Sequence, residues 1–131
     1  RTTLPHSMSY PMTSHFGIPH GVAVFLSLPF VSAFNFAATP ATVQDGMTVE
    51  QVKMAYTALM ESFGVSTLDR YVQALRAVMR KMEIKPRLSD YGIKREDLPF
   101  LAENSITKGR SDNNPRKVDQ ALVLRILESI F

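Results

Sequence analysis

From residue 48 onward the apolar positions recur at helical spacing. Thr48 and Gln51 form a capping-box pair, in which each side chain satisfies a backbone N–H of the other residue. Val52, Ala55, Leu59, Met60 and Phe63 follow at intervals suited to a helix, and Gly64 ends the run. Ser66 and Asp69 repeat a similar cap. Leu68, Tyr71, Val72, Leu75, Val78, Met79 and Met82 then make one apolar stripe, stopped before Pro86. The short connection around Val65 predicts that these two helices are antiparallel neighbours.

Beyond Lys85-Pro86-Arg87, which reads as extended, residues 88–92 predict a single helical turn. A helix over 95–104 accepts Pro99 in or near its first turn. Residues 107–116 are polar and loop-forming. A last helix over 118–130 carries Ala121, Leu122, Leu124, Ile126, Leu127 and Ile130, and this wide apolar coverage predicts deep burial. Upstream, residues 22–34 are the ambiguous segment, because their β-branched side chains also suit a buried strand. A lone strand would leave its backbone groups unpaired in a chain with no other strand candidate, so a helix is predicted. The expected fold is all-α, in a single domain over 1–131, without internal repeats.

Composition narrows the function. With 131 residues, of which 45% are apolar, the chain is long enough to bury a core without staples. It has no cysteine, which excludes disulfides, thiolate zinc sites and thiol nucleophiles and fits a cytoplasmic protein. The net charge is +3, but basic and acidic residues interleave, as in Lys94-Arg95-Glu96-Asp97, instead of forming the stripe that nucleic-acid binding wants. The longest apolar run, 21–33, is broken by Ser27, Pro29 and Ser32. It is shorter than the roughly 20 residues of a membrane span, so it predicts a buried core element and no membrane partner. The chain opens Arg1-Thr2-Thr3-Leu4-Pro5, with no signal-peptide pattern and no initiator Met, and is expected to be a piece of a longer protein. Glycines at 17, 21, 46, 64, 92 and 109 make no GxGxxG or Walker loop, and neither HExxH nor GxSxG occurs.

The chemistry concentrates near the start, where all three histidines lie: His6, His15 and His20. Imidazole is the commonest metal ligand. On one straight helix the fourteen residues from His6 to His20 would span about 21 Å. A shared metal needs both nitrogens at roughly 2.0–2.1 Å, so the chain must turn back, and Gly17 and Pro19 permit it. A helix–turn–helix with a metal at its elbow is the expectation, against surface or hydrogen-bonded histidines as the ordinary alternative. If 3–15 is helical, His15 lies about 180° round the helix from His6 and should not join it. Tyr10, four residues after His6, shares its face. It is either a group that orients a ligand through its hydroxyl or a buried ring with a satisfied OH.

The run Pro5-His6-Ser7-Met8-Ser9-Tyr10-Pro11, then His15-Phe16-Gly17-Ile18-Pro19-His20-Gly21, resembles the iron-containing (group III) alcohol dehydrogenases, at the first helices of their C-terminal, all-helical domain. Leu28-Pro29, Phe34-Asn35, Gly92-Ile93 with Asp97-Leu98-Pro99, and Asn114-Pro115-Arg116 before the last helix are similar to further landmarks. The resemblance spans nearly the whole chain. The segment around His20 and the Gly-Arg-Ser-Asp-Asn-Asn-Pro-Arg loop look most like the subgroup that includes phosphonoacetaldehyde reductases.

That resemblance implies a helical bundle of the dehydroquinate synthase-like α-domain type, in which His6 and His20 are metal ligands to Fe²⁺ or Zn²⁺. It implies two further ligands, an Asp and a His four residues later, from an earlier segment. None of Asp45, Asp69, Asp90, Asp97, Asp112 or Asp119 has a histidine four residues on. The NAD(P) of the complete enzyme would be held mainly by an N-terminal dinucleotide-binding domain that this chain lacks. Tyr10 falls where many relatives carry a further histidine near the metal, and is the candidate catalytic residue. Ser7 and His15 are candidate contacts beside it.

In the complete enzyme the metal would act as a Lewis acid on the oxygen of a small alcohol or aldehyde while hydride passes to or from nicotinamide. An anionic phosphonate substrate would call for a cation, for which Arg110 and Arg116 are available, although both also suit ordinary roles as loop and helix-terminus charges. The implied partners are the substrate, the chain's own N-terminal domain and, as an option, a second copy in a homodimer. The isolated chain is expected to be inactive. A stand-alone helical interaction module and a structural bundle with incidental histidines are the competing readings.

Overall fold

The computed structural model describes residues 2–131. It contains six α-helices: α1 (Leu4–Phe16), α2 (His20–Phe36), α3 (Val49–Ser62), α4 (Leu68–Lys81), α5 (Leu98–Asn104) and α6 (Gln120–Ser129). Short 3₁₀ turns stand at Leu88–Tyr91, Arg95–Asp97 and Ser111–Asn113. Among the described residues there is no strand, only an isolated antiparallel bridge between Val43 and Arg116. The all-α expectation holds, and the ambiguous segment is helical within α2. No helix among the described residues is long and apolar enough to cross a membrane.

Local chemistry sets most of the boundaries. At α3 the Thr48 hydroxyl accepts from Gln51 N at 3.2 Å while Gln51 Oε1 accepts from Thr48 N at 2.9 Å, the reciprocal cap expected from these two residues. At α4 the cap is Thr67, not Ser66: its Oγ1 accepts from Arg70 N, and Leu68 is the first helical residue. Of two adjacent hydroxyl residues, the one directly before the first helical residue holds the cap. The segment expected as one helix over 95–104 starts as a 3₁₀ turn and becomes α-helical at Leu98, with Pro99 in the first turn, where its missing N–H costs nothing. Asp119 caps the last helix through Leu122 N at 2.7 Å, which puts Val118 outside it.

The main core joins Leu4, Met8 and Met12 of α1, Ala23, Leu26 and Val31 of α2, Leu98 and Leu101 of α5, and Val123 and Leu127 of α6. Burying each large side chain contributes roughly 1.5–3 kcal/mol. A second cluster joins Val52, Tyr56 and Met60 of α3 to Tyr71 and Leu75 of α4, with Phe63 edge-on to Tyr71 at 5.1 Å. Both α3 and α4 lean chiefly on α2 and less on each other. For that reason α3 buries only a narrow stripe. Ala55, Leu59 and Phe63, expected inside, are exposed, and Tyr56 is inside instead.

A buried amide pair pins the 107–116 loop to the bundle. Asn114 Nδ2 donates to Asn35 Oδ1 at 2.7 Å and to Arg116 O at 2.7 Å. Asn35 Nδ2 donates to Asn114 Oδ1 at 3.1 Å and to the Tyr56 hydroxyl at 3.2 Å. Every amide proton of the pair is spent, so two buried polar side chains stand in the interior without a desolvation debt. Burial pushes the Tyr56 phenol above its ordinary pKa, against hydrogen bonds from Asn35 and Ser32 that pull it down.

Candidate metal centre

The elbow between α1 and α2 is built from a glycine and a proline. Gly17 closes α1 in the left-handed conformation (φ 68°, ψ 13°), its N–H returning to Thr13 O at 3.1 Å. Only glycine takes this conformation without cost. Ile18 buries its side chain in the core, Pro19 is extended, and His20 opens α2. His20 is thereby turned back on α1, near its first turns. His6 Nδ1 and His20 Nε2 stand 3.3 Å apart, with ring centroids 5.4 Å apart. The structure thus brings together the two residues expected to converge.

Ser9, which sequence reasoning missed, organises the pair. Its hydroxyl donates to His6 O at 2.7 Å and stands 3.0 Å from His20 Nδ1. A serine hydroxyl has one proton, and that proton is spent on the His6 carbonyl. Ser9 Oγ therefore accepts from His20 Nδ1–H, which leaves the ring's one in-plane lone pair on Nε2, the nitrogen that faces His6. The signal was present in the spacing, because Ser9 is one helical turn after His6. Nothing in the sequence distinguished it from Ser7.

The 3.3 Å separation is that of a hydrogen bond between the two rings, the ordinary alternative, and it is equally compatible with two donors on one metal. Two bonds of roughly 2.0–2.1 Å at a tetrahedral angle put their donor atoms about 3.3 Å apart. The donor count falls short of a complete site: among the described residues no group of three or more His, Asp or Glu side chains converges. His20 is exposed and His6 half-buried, so the pair opens to the surface, where further ligands have room to approach.

The other candidates separate. Tyr10 is 38% exposed, which rules out the fully buried ring, and its centroid lies 5.5 Å from that of His20. The Arg110 guanidinium carbon lies 4.1 Å from the centre of the Tyr10 ring. Ser7 is not beside the pair in function: it is fully buried and donates to Ser105 O at 2.6 Å, tying α1 to α5. His15 packs edge-on to Phe100 at 4.8 Å, away from His6 as the helical rotation required. Arg116 is committed elsewhere, donating to Phe34 O at 3.0 Å and stacking on the Phe34 ring at 4.1 Å.

Over residues 1–131 the chain matches the family described as Fe-containing alcohol dehydrogenase family, C-terminal. It is 30% identical over 129 residues to 1,3-propanediol dehydrogenase of Klebsiella pneumoniae, covering 96% of this chain and 31% of that protein. It is 34% identical over 128 residues to sulfoacetaldehyde reductase of Bilophila wadsworthia, covering 92% of this chain and 30% of that one. Its fold is similar to that of the archaeal halo-thermophilic Red Sea brine pool alcohol dehydrogenase, with a TM-score of 0.81 and 21% identity over 99% of this chain and 33% of the other. The chain spans about 31% of the length of the first of these relatives.

Proposed function

The chain belongs to the iron-containing alcohol dehydrogenase family, as its C-terminal part, and from that premise we propose that it is the metal-binding, helical domain of an NAD(P)-linked alcohol dehydrogenase or aldehyde reductase. The observation that carries this reading is the 3.3 Å separation of His6 Nδ1 and His20 Nε2 at an open elbow. The two imidazoles hold two positions of an Fe²⁺ or Zn²⁺ site. Its remaining ligands and the dinucleotide fold belong to a segment outside this single domain.

A divalent ion bound there supplies Lewis-acid polarisation of a substrate oxygen, and a nicotinamide supplies or accepts hydride. The chain's own residues prepare the site. Ser9 holds His20 in the tautomer that leaves Nε2 free to ligate, and the hairpin packing of α1 on α2 fixes the distance between the rings. Tyr10 flanks His20 with a ring that shields one side of the pair and a hydroxyl available to orient a small alcohol or aldehyde or to relay its proton.

The test uses the protein together with its upstream segment, comparing metal content and NAD(P)H-linked reduction of propanal. One metal per chain and turnover are expected, both lost in His6→Ala and in His20→Ala while thermal unfolding stays cooperative. The 131-residue chain alone is expected to bind Zn²⁺ weakly and to reduce nothing, having two ligands. Stoichiometric, nanomolar metal binding by that chain, lost on His6→Ala, would instead identify an autonomous metalloprotein. Full metal content in both variants overturns the ligand assignment.

A further inference from the structure

We propose that Arg110 is a specificity-determining residue of this site and takes the oxyanion tail of an aldehyde held at the histidine pair. The inference rests on the dehydrogenase reading above and adds the substrate's charge.

Three observations carry it. The first is position. The Arg110 guanidinium lies 4.1 Å from the centre of the Tyr10 ring, which in turn is 5.5 Å from the His20 ring centre. Two ring contacts therefore link the cation to the imidazole pair, which puts a positive charge on the flank of the site.

The second is availability. Among the described residues the Arg110 side chain makes no hydrogen bond, and the only ion pairs are Lys94–Glu96 and Lys117–Asp45. The ring contact engages the guanidinium without a hydrogen bond, so its N–H groups remain to match an oxyanion bidentately. Arg116 shows the contrast: it also lies over a ring, but its guanidinium already donates to a backbone carbonyl.

The third is preorganisation. The loop that carries Arg110 is tied at both ends. Ser111 Oγ accepts from Thr107 N at 3.1 Å and donates to Thr107 O at 2.9 Å. Asn113 Nδ2 donates to Gly109 O at 2.6 Å and to Thr2 O at 3.3 Å, and Asn114 is locked to Asn35. A cation on a fixed loop loses little freedom when it binds, which favours recognition of a small anion. The same chemistry suits a sulfonate, a phosphonate or a carboxylate, and the test separates them.

In the complete enzyme the measured quantity is the ratio of kcat/KM for sulfoacetaldehyde to that for propanal. Arg110→Gln is expected to lower this ratio at least about tenfold, chiefly through KM, and Arg110→Lys to recover part of it. An unchanged ratio, or an equal fall for both aldehydes, overturns the proposal. Calorimetric titration of the complete protein with ethanesulfonate, ethylphosphonate and propionate reads the same site without turnover and ranks the three anions. Binding lost in Arg110→Gln supports the anion site even in a protein that reduces no aldehyde, a result that would sink only the dehydrogenase reading. Reduction of propanal by a protein that binds none of the anions overturns the Arg110 proposal alone.

Discussion

Ser9 Oγ stands 3.0 Å from His20 Nδ1, and this contact decides which nitrogen of His20 faces His6. The serine can serve as the acceptor only because its proton is already committed to the His6 carbonyl at 2.7 Å. One buried hydroxyl thus links the backbone under one histidine to the ring of the other. Ser9→Ala removes the link and leaves both imidazoles in place. In the complete enzyme it should weaken metal binding by about 10–100-fold. The cost in stability should be only about 1 kcal/mol. Competition against a chelator of known affinity, with a thermal melt alongside, separates the two effects. Unchanged metal affinity would mean that the packing of α2 alone orients His20.

The Asn35–Asn114 pair predicts a strongly non-additive response. Asn114→Leu leaves the buried Asn35 amide without its partner and should destabilise the fold by about 1–3 kcal/mol, beyond any misfit of volume. The double variant Asn35→Leu with Asn114→Leu removes both partners and should cost less than the sum of the single changes. Urea unfolding of the four proteins completes the cycle, and simple additivity would show that the reciprocal amide bonds contribute nothing.

Alkaline pH should expose the burial of Tyr56. Its folded pKa lies above the ordinary 10.0, chiefly because burial disfavours the phenolate. The unfolded chain therefore loses this proton first as pH rises. The stability linked to Tyr56 is complete below about pH 10 and declines as pH climbs toward the higher folded value. Tyr71 and Tyr91 are raised by the same cause and add to the decline. Tyr56→Phe should lower stability at neutral pH, where the hydroxyl accepts from Asn35, and flatten the fall above pH 10. Melting curves from pH 8 to about pH 11 check the sign, and an equally steep decline in the variant would remove Tyr56 as a contributor.

Features written into adjacent residues were legible in the sequence, and features set by distant packing were not. The Thr48–Gln51 box and the turn at Gly17 depend on residues a few positions apart, and both are present. The convergence of His6 and His20 was legible because the elbow is local and metal chemistry demands short distances. Leu59 and Phe63 resisted because α3 has one principal neighbour, so periodicity gave a helix without saying which side would be covered. At the site Ser9 resisted altogether, whereas Arg110 was legible only as one of two available cations, without its contact to Tyr10. Ser9 was one of two serines flanking Met8, and only the direction of α2 chose between them. Arg110 reaches Tyr10 across a hundred residues of chain, through a loop held by the Asn35–Asn114 pair that no local pattern announces.

Gly17 and Gly21 offer a comparison in which the same substitution should act with opposite sign four residues apart. A Cβ at either position meets no atom within 4 Å, so crowding is absent from both, and only backbone conformation differs. At Gly17, with φ at 68°, Gly17→Ala forces a side chain into the left-handed region and should destabilise the 131-residue chain by about 1–2 kcal/mol. Gly17→Asn should cost less, because asparagine enters that region more readily. At Gly21, inside the first turn of α2, Gly21→Ala reduces the freedom of the unfolded chain and should stabilise by about 0.5 kcal/mol. Urea midpoints of the three variants measure the contrast. A destabilising Gly21→Ala would show that the start of α2 is strained, and a neutral Gly17→Ala would show that the elbow can turn without its left-handed residue. Since that turn carries His20 to His6, Gly17→Ala should also weaken metal binding in the complete enzyme, whereas the ordinary helical position of Gly21 gives Gly21→Ala no such leverage on the turn.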